Sequence, residues 1–180
     1  ASDVYKRQPM KQLEEEKIDQ LLGIINLYPA IRVMQFSDGS HLLSKKINRL
    51  CEENDYEYQL NCTSDIFYQK STLKYADSDH IKVKFINLEQ PRYAIQAKMY
   101  DYLFVTSDIP DEEKLSFLKK TYGVIKNAGN IIIFVPRGDY SQIQLWSRLL
   151  EENNFVATNT LDIFSNYDVI ISKKMHGWGG

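Results

Sequence analysis

The chain has 180 residues, the length of a single domain, and its 22 Lys and Arg against 24 Asp and Glu leave a net charge of -2. Hydrophobic residues make up 43% and charged residues 26%, which excludes a wholly disordered chain. The near-neutral balance argues against a protein that mainly coats nucleic acid or an anionic membrane. Glycine is scarce, at 8 residues, although loops that hold nucleotide cofactors are usually rich in it.

The first half of the chain predicts helices and strands in alternation. Apolar residues at helical spacing predict three helices, at residues 11–27, 42–53 and 65–75. Apolar runs and polar–apolar alternation predict three strands, at residues 30–36, 56–62 and 80–87. Pro29 ends the first helix, and a turn with Gly39 follows the first strand.

The second half continues this alternation and ends differently. One helix is expected at residues 94–99. A second begins after Asp108 and Pro110, with Gly129 as its predicted C-cap. A third begins after Asp139, which is expected to form a capping box with Gln142. Short apolar runs predict buried strands at 102–105 and 131–135. The last two strands, at 155–161 and 167–172, are separated by a short polar turn and predict a hairpin.

Strands that alternate with helices predict an α/β fold with a doubly wound, mostly parallel sheet, helices on both faces and a C-terminal antiparallel hairpin. We expect one α/β domain over residues 30–174, preceded by an N-terminal helix within 10–29. Residues 1–9 lack periodicity and are expected to be a disordered leader, and residues 175–180 a frayed tail.

The cysteines and the hydropathy of the sequence indicate where in the cell the protein is expected. Cys51 and Cys62 are too few for a disulfide framework and fit no metal motif, so both are expected to be buried free thiols. No apolar run is long enough to span a bilayer, and no signal peptide is visible. We therefore expect a cytoplasmic protein without a membrane or nucleic-acid partner, and no metal site.

The order of elements, with its terminal hairpin, resembles the class I S-adenosylmethionine-dependent methyltransferases, whose last strand is antiparallel within an otherwise parallel sheet. Residues 100–105 resemble the fourth strand of that family. Residues 118–135 are similar to the family's leucine-rich helix, the Lys-Pro-Gly-Gly turn that follows it and the next apolar strand. Residues 149–155 are similar to the family's helix that precedes a Gly-Phe dipeptide. The resemblance covers most of residues 30–174 and implies S-adenosylmethionine as cofactor.

The resemblance also implies a set of cofactor-binding residues. In the family, the first strand ends in an acidic residue and is followed by a Gly-x-Gly-x-Gly loop. In this chain Gln35 occupies the position of the acidic residue, and Gly39 is the only one of the three glycines that is kept. The family's second strand ends in an acidic residue that binds the ribose hydroxyls. Its position lies near Asn61 in this chain, and Asp65 from the following loop could take its place. The implied cofactor-binding residues are Gln35, Ser37, Asp38, Gly39, Asn61, Asn87 and Glu89.

The loop after the fourth strand carries the chemistry in many such enzymes. Amino-group methyltransferases have an Asn/Asp-Pro-Pro-aromatic turn there, and Asp108-Ile109-Pro110-Asp111 matches it in part. Asp108 and Pro110 are therefore the candidate catalytic residues, although the same residues also suit an ordinary helix N-terminus.

Two functions remain open at this stage. The first is an S-adenosylmethionine-dependent methyltransferase acting on a small molecule or protein. The second is a catalytically inactive methyltransferase-like domain that serves as a protein-interaction module, which the missing glycines favour. An open crevice above residues 35–40 would favour the enzyme, and a crevice filled by side chains would favour the module.

Overall fold

The structure is a computed structural model that describes residues 10–95 and 99–175. Five helices lie within these residues: α1 (Glu15–Leu22), α2 (His41–Asn54), α3 (Asp65–Lys74), α4 (Asp111–Tyr122) and α5 (Tyr140–Glu152). The strands are β1 (Arg32–Ser37), β2 (Glu57–Cys62), β3 (Ile81–Phe85), β4 (Tyr100–Val105), β5 (Ile125–Pro136), β6 (Phe155–Leu161) and β7 (Tyr167–Lys174). None of the helices in the described part of the chain is long and apolar enough to cross a membrane.

The strands form one seven-stranded sheet in the order β3-β2-β1-β4-β5-β7-β6. The first five strands are parallel, whereas β7 lies antiparallel between β5 and β6. This arrangement confirms the predicted doubly wound sheet with its C-terminal hairpin. The strand order reverses between β1 and β4, which places a crevice at the carboxyl ends of these two strands.

Hydrophobic side chains cover both faces of the sheet because alternate strand residues point to opposite sides. On one face, Val33 and Phe104 pack with residues of α1 and α2. On the other, Phe36 and Leu103 pack with residues of α4 and α5, including Phe117 and Trp146. The two cores hold the sheet rigidly, so the loops at its carboxyl edge start from fixed points.

Two helices differ from the predictions. The helix expected at residues 11–27 is shorter and covers only α1, Glu15–Leu22. The chain before Glu15 is extended, and Gly23, a poor helix former, caps the end of the helix. The helix expected at 94–99 does not form at Ala94, Ile95 or Met99, and residues 96–98 lie outside the described residues. The Met99 N–H instead donates to the carbonyl of Val124, 3.0 Å away, where β4 begins.

Gly129 is not the predicted C-cap, because α4 ends at Tyr122 and Gly123 caps it. Gly129 lies inside β5, beside an irregularity in the β4–β5 pairing. A Cβ there would be 2.9 Å from the carbonyl oxygen of Lys126 and 3.1 Å from that of Asp101. The glycine is therefore required by close backbone packing rather than by a helix terminus.

The predicted capping box of α5 forms only in part. The Asp139 carboxylate accepts the N–H of Gln142 at 3.2 Å, as expected of an N-cap. The Gln142 side chain does not accept the backbone N–H of Asp139, as a full capping box requires. Its Nε2 donates instead to Asp111 Oδ1, 2.9 Å away. The first turns of α4 and α5 are thereby linked at the carboxyl edge of the sheet.

Candidate functional site

The loops that follow β1 and β4 meet at the point where the strand order reverses. The backbone N–H groups of Thr106 and Ser107 both donate to the carbonyl of Phe36, at 2.8 and 3.1 Å. The N–H of Asp108 donates to Asp38 Oδ2 at 3.1 Å. These bonds join residues about seventy positions apart and fix the two loops against each other.

A cavity of about 510 Å³ opens between these loops and the carboxyl end of β2. We call it the β1–β2 cavity. Its lining residues are Met10, Asp38, Gly39, His41, Thr63, Ser64, Ile66, Phe67, Lys70, Leu88 and Asp108. Its volume lies within the range of about 300–1,000 Å³ that is usual for small-molecule and cofactor sites. The crevice above residues 35–40 is therefore open.

A second cavity, of about 300 Å³, lies on the other side of Asp38 and Asp108. We call it the β4–β5 cavity. It is lined by Met10, Lys11, Asp38, Thr106, Ser107, Asp108, Ile109, Lys114, Ile133, Phe134, Val135, Pro136, Gln142, Trp146, Asn166 and Tyr167. Met10, Asp38 and Asp108 line both cavities. A ligand in one cavity and a ligand in the other would thus meet beside the two aspartates.

Gln35, a predicted cofactor residue, lies beneath the β1 loop and outside the walls of both cavities. Its Nε2 donates to Thr106 Oγ1 at 2.9 Å, and its Oε1 accepts hydrogen bonds from the hydroxyls of Tyr58 and Ser44. The fully buried amide therefore joins β1 to β2, α2 and the segment after β4. Its observed role is to hold the framework of the site.

Ser37 stands where the resemblance expects a glycine, and its side chain stabilises the loop. Its buried Oγ accepts the N–H groups of Gly39, at 3.4 Å, and Ser40, at 3.2 Å. The loop is thus closed by a side-chain oxygen rather than by a run of glycines. Of the predicted cofactor residues, Asp38 and Gly39 line the β1–β2 cavity.

Four other predicted site residues, Asn61, Asn87, Glu89 and Pro110, lie away from the cavity walls. Asn61 is fully buried within β2, and its Oδ1 accepts a hydrogen bond from Gln59 Nε2 at 2.8 Å. Asn87 Oδ1 accepts the N–H of Glu89 at 3.0 Å, which closes a turn in an exposed loop. Pro110 is the N-cap residue of α4. The other predicted catalytic residue, Asp108, lines both cavities.

Asp38 has an unusual electrostatic environment. Burial raises the pKa of its carboxyl, and the nearby charge of Asp108 acts in the same direction, while the backbone N–H groups of Asp108 and Met10 act against this rise. Asp38 Oδ1 is buried and accepts no hydrogen bond within the described residues. One oxygen of this carboxylate is thus held by the β4 loop, and the Met10 N–H also acts on the group.

His41, at the first position of α2, lies on the wall of the β1–β2 cavity. Its ring lies 4.7 Å from that of Phe67, centroid to centroid. Burial lowers the pKa of the imidazole, and the charges of Lys74 and Lys70 lower it further. His41 is therefore a neutral ring at neutral pH, tilted by 59° against the ring of Phe67. No cluster of three or more potential metal ligands occurs in the described part of the chain.

A buried lysine lines the β4–β5 cavity. Lys114 is 2% exposed, and its ammonium donates to the carbonyl of Ile109 and to Asp111 Oδ1, each at 2.6 Å. It also lies 5.2 Å from the centre of the Trp146 ring. The same ammonium lowers the pKa of Asp111. The hydrogen bond to the Ile109 carbonyl ties the loop that carries Asp108 to α4.

Sequence reasoning missed the residues at the carboxyl end of β2. Thr63 and Ser64 line the β1–β2 cavity, whereas the sequence pattern indicated Asn61 and Asp65. Ser64 caps α3 by accepting the N–H of Phe67, a pattern that marks where the strand has ended and the helix begins. That N-cap signal locates the sheet edge two to three residues after Asn61.

No protein-family model and no curated protein matches the sequence. Solved structures do match. A SAM-dependent O-methyltransferase from Thermotoga maritima superposes with a TM-score of 0.72 at 13% identity, covering 97% of this chain and 70% of that one. The CurJ carbon methyltransferase gives 0.68 at 15% identity, covering 88% of this chain and 52% of that one. This chain therefore spans about half the length of the CurJ protein.

A geranyl diphosphate methyltransferase solved in complex with SAM gives a TM-score of 0.66 at 10% identity, covering 90% of this chain and 86% of that one. At such low identities these likenesses concern the fold alone. Together with the strand order and the antiparallel β7, they show that the chain has the class I methyltransferase fold.

Proposed function

We propose that the protein is an S-adenosylmethionine-dependent methyltransferase whose acceptor is a small molecule. The observation that carries this proposal is the pair of cavities at the carboxyl edge of the sheet, which share Asp38 and Asp108. Methyl transfer requires a donor and an acceptor held side by side with their reacting atoms in contact. Two cavities that meet at one wall suit that requirement.

The residues of the β1–β2 cavity fit the cofactor chemically. Asp38 and Gly39 offer a carboxylate and backbone groups for its amino-acid part, and Thr63 and Ser64 offer hydroxyls for its ribose. Ile66, Phe67 and Leu88 offer apolar surface for its adenine. When bound, S-adenosylmethionine supplies a methyl group attached to a positively charged sulfur.

The β4–β5 cavity is the proposed acceptor site. At about 300 Å³ it lies at the small end of the usual range for ligand sites, which favours a small molecule over a protein segment. Phe134, Pro136 and Trp146 give it apolar and aromatic walls, and the Asp108 carboxylate lies at its boundary with the other cavity. These residues would orient the acceptor and exclude water from it.

The alternative of an inactive interaction module predicts a crevice filled by side chains. The cavity above Asp38 and Gly39 gives that alternative no support. Ser37 closes the loop in place of a glycine without blocking this cavity. We therefore propose the enzyme alone.

Isothermal titration of the full chain with S-adenosylmethionine and with its demethylated product S-adenosylhomocysteine tests the proposal. We expect both ligands to bind. Gly39→Val adds a side chain to the cavity wall and is expected to raise both Kd values at least about tenfold. Gly123→Val makes the same change where a Cβ would meet nothing within 4 Å, and it should leave both Kd values unchanged. Absence of binding to either ligand by the unaltered chain would refute the proposal.

A further inference from the structure

The segment of residues 10–14, directly before α1, runs along the two cavities. These five described residues, which we call the strap, belong to no helix or strand. Met10 lines both cavities, and Lys11 lines the β4–β5 cavity. The strap therefore contributes part of the wall of the proposed acceptor site.

Backbone hydrogen bonds fasten the first two residues of the strap. The Met10 N–H donates to the carboxylate of Asp38, in the loop after β1. The Lys11 N–H donates to the hydroxyl of Tyr167 at 2.7 Å, at the start of β7. β4 and β5 lie between β1 and β7 in the sheet, and residues at the ends of these two strands line the β4–β5 cavity. The strap is thus fastened to elements on either side of the strands that form this cavity.

The end of the strap next to α1 is anchored more firmly. Leu13 is 4% exposed and packs in the core on the α1 face of the sheet. The Glu14 carboxylate accepts the N–H of Ser165 at 3.3 Å. Met10, in contrast, is only partly buried against the same core. Because segments with few buried contacts open locally at a small cost in free energy, residues 10–12 can open while Leu13 stays in place.

We propose that the strap is a gate of the acceptor site, in which residues 10–12 move away from Asp38 and Tyr167 to admit the acceptor and return to enclose it. This inference rests on the proposed function. An acceptor must enter and leave the site, yet water must be kept from the reacting atoms during methyl transfer. A segment with one buried anchor and one end held by hydrogen bonds meets both requirements.

The gate is linked to the cofactor site through Met10. Because Met10 also lines the β1–β2 cavity, a ligand in that cavity would contact the closed strap. Such a ligand binds the closed state better than the open one, and it therefore shifts the strap towards closure. We expect S-adenosylhomocysteine to act in this way.

Distances between spin labels report the state of the strap without knowledge of the acceptor. Gln12→Cys places one label on the exposed middle of the strap, and Glu151→Cys places the other on the exposed surface of α5. Cys51 and Cys62 are fully buried and should not react with the labelling reagent in the folded chain. Electron–electron double resonance on the full chain should then give a main distance for the closed strap and a minor second distance for the open strap.

Tyr167→Phe removes the acceptor of the Lys11 N–H and keeps the aromatic ring. Loss of one neutral hydrogen bond should raise the ratio of open to closed chains about two- to tenfold. Saturating S-adenosylhomocysteine should lower this ratio in the unaltered chain. Tyr28→Phe makes the same change at an exposed ring outside both cavity walls and should leave the ratio unchanged.

A control pair of labels separates movement of the strap from movement of α1. Glu16→Cys replaces Gln12→Cys in this pair, lies in α1 beyond the anchor, and should give one distance in every variant. Equal shifts in the two pairs would show that α1 moves as a whole, which overturns the gate. One unchanged distance for the Gln12 pair in the unaltered chain and in Tyr167→Phe would also overturn it. Failure of the unaltered chain to bind S-adenosylhomocysteine would instead refute the proposed function.

Discussion

Replacing Gln35 by Met tests whether this residue supports the framework of the site or contacts the cofactor. The substitution removes a buried amide and keeps a side chain of similar length. It leaves the buried hydroxyl of Tyr58 without its acceptor, which is expected to cost about 1–3 kcal/mol of unfolding free energy. For a chain of this size, each kcal/mol corresponds to a fall in Tm of about 2–4 °C.

A double-mutant cycle isolates this cost. Tyr58→Phe removes the hydroxyl, so the further change Gln35→Met should then be milder by at least about 1 kcal/mol. Urea denaturation followed by circular dichroism measures all four proteins. Additive effects, within about 0.5 kcal/mol, would refute the assigned hydrogen bond. Because Gln35 lies behind the cavity walls, Gln35→Met should change the Kd of S-adenosylhomocysteine less than about threefold. A large loss of affinity without loss of stability would restore its predicted role as a direct ligand.

Two further predictions concern backbone packing and charge burial. Gly129→Ala places a Cβ under 3 Å from the Lys126 carbonyl and should destabilise the chain by about 1–3 kcal/mol in urea, whereas Gly123→Ala should be neutral or stabilising. Equal stability of the two variants would contradict the packing at Gly129. The fold raises the pKa of the Asp38 carboxyl, because burial disfavours its charged form. The loss of stability caused by burying this charge is absent below the ordinary Asp pKa and develops as the pH rises through the pKa of Asp38 in the folded state. Asp38→Asn should therefore gain stability over the unaltered chain as the pH rises above the ordinary Asp pKa, and a pH-independent difference would argue against a raised pKa.

Much of the architecture could be predicted because it depends on local periodicity. The bounds predicted for the first hairpin strand, 155–161, agree with β6, and the helix predicted after Pro110 begins where α4 begins, although α4 ends before the predicted cap at Gly129. Alternation of strands with helices then sufficed for the parallel sheet. The errors fell where tertiary contacts override a local signal. Gly129 has the sequence appearance of a helix cap, and only the approach of the Asp101 and Lys126 carbonyls shows why it is glycine.

The site was harder to predict than the fold. Of the residues predicted in the loop after β1, Asp38 and Gly39 line a cavity, and their contact with a cofactor stays a prediction. The bond between Asp38 and the Asp108 N–H joins loops about seventy residues apart, and no local pattern announces it. The shortage of glycine also had a consequence that the sequence did not show. Ser37 supplies a side-chain oxygen to the loop amides, which closes the turn without the missing glycines.

The most direct test of the central claim is a map of where S-adenosylhomocysteine binds. Titration of the ¹⁵N-labelled chain, followed by amide chemical shifts, reports on each loop separately. The largest changes are expected at Gly39, Thr63 and Leu88, which line the β1–β2 cavity at three neighbouring positions of the sheet edge. Changes at the opposite edge of the sheet, or none at ligand concentrations up to millimolar, would contradict the assignment of this cavity to the cofactor.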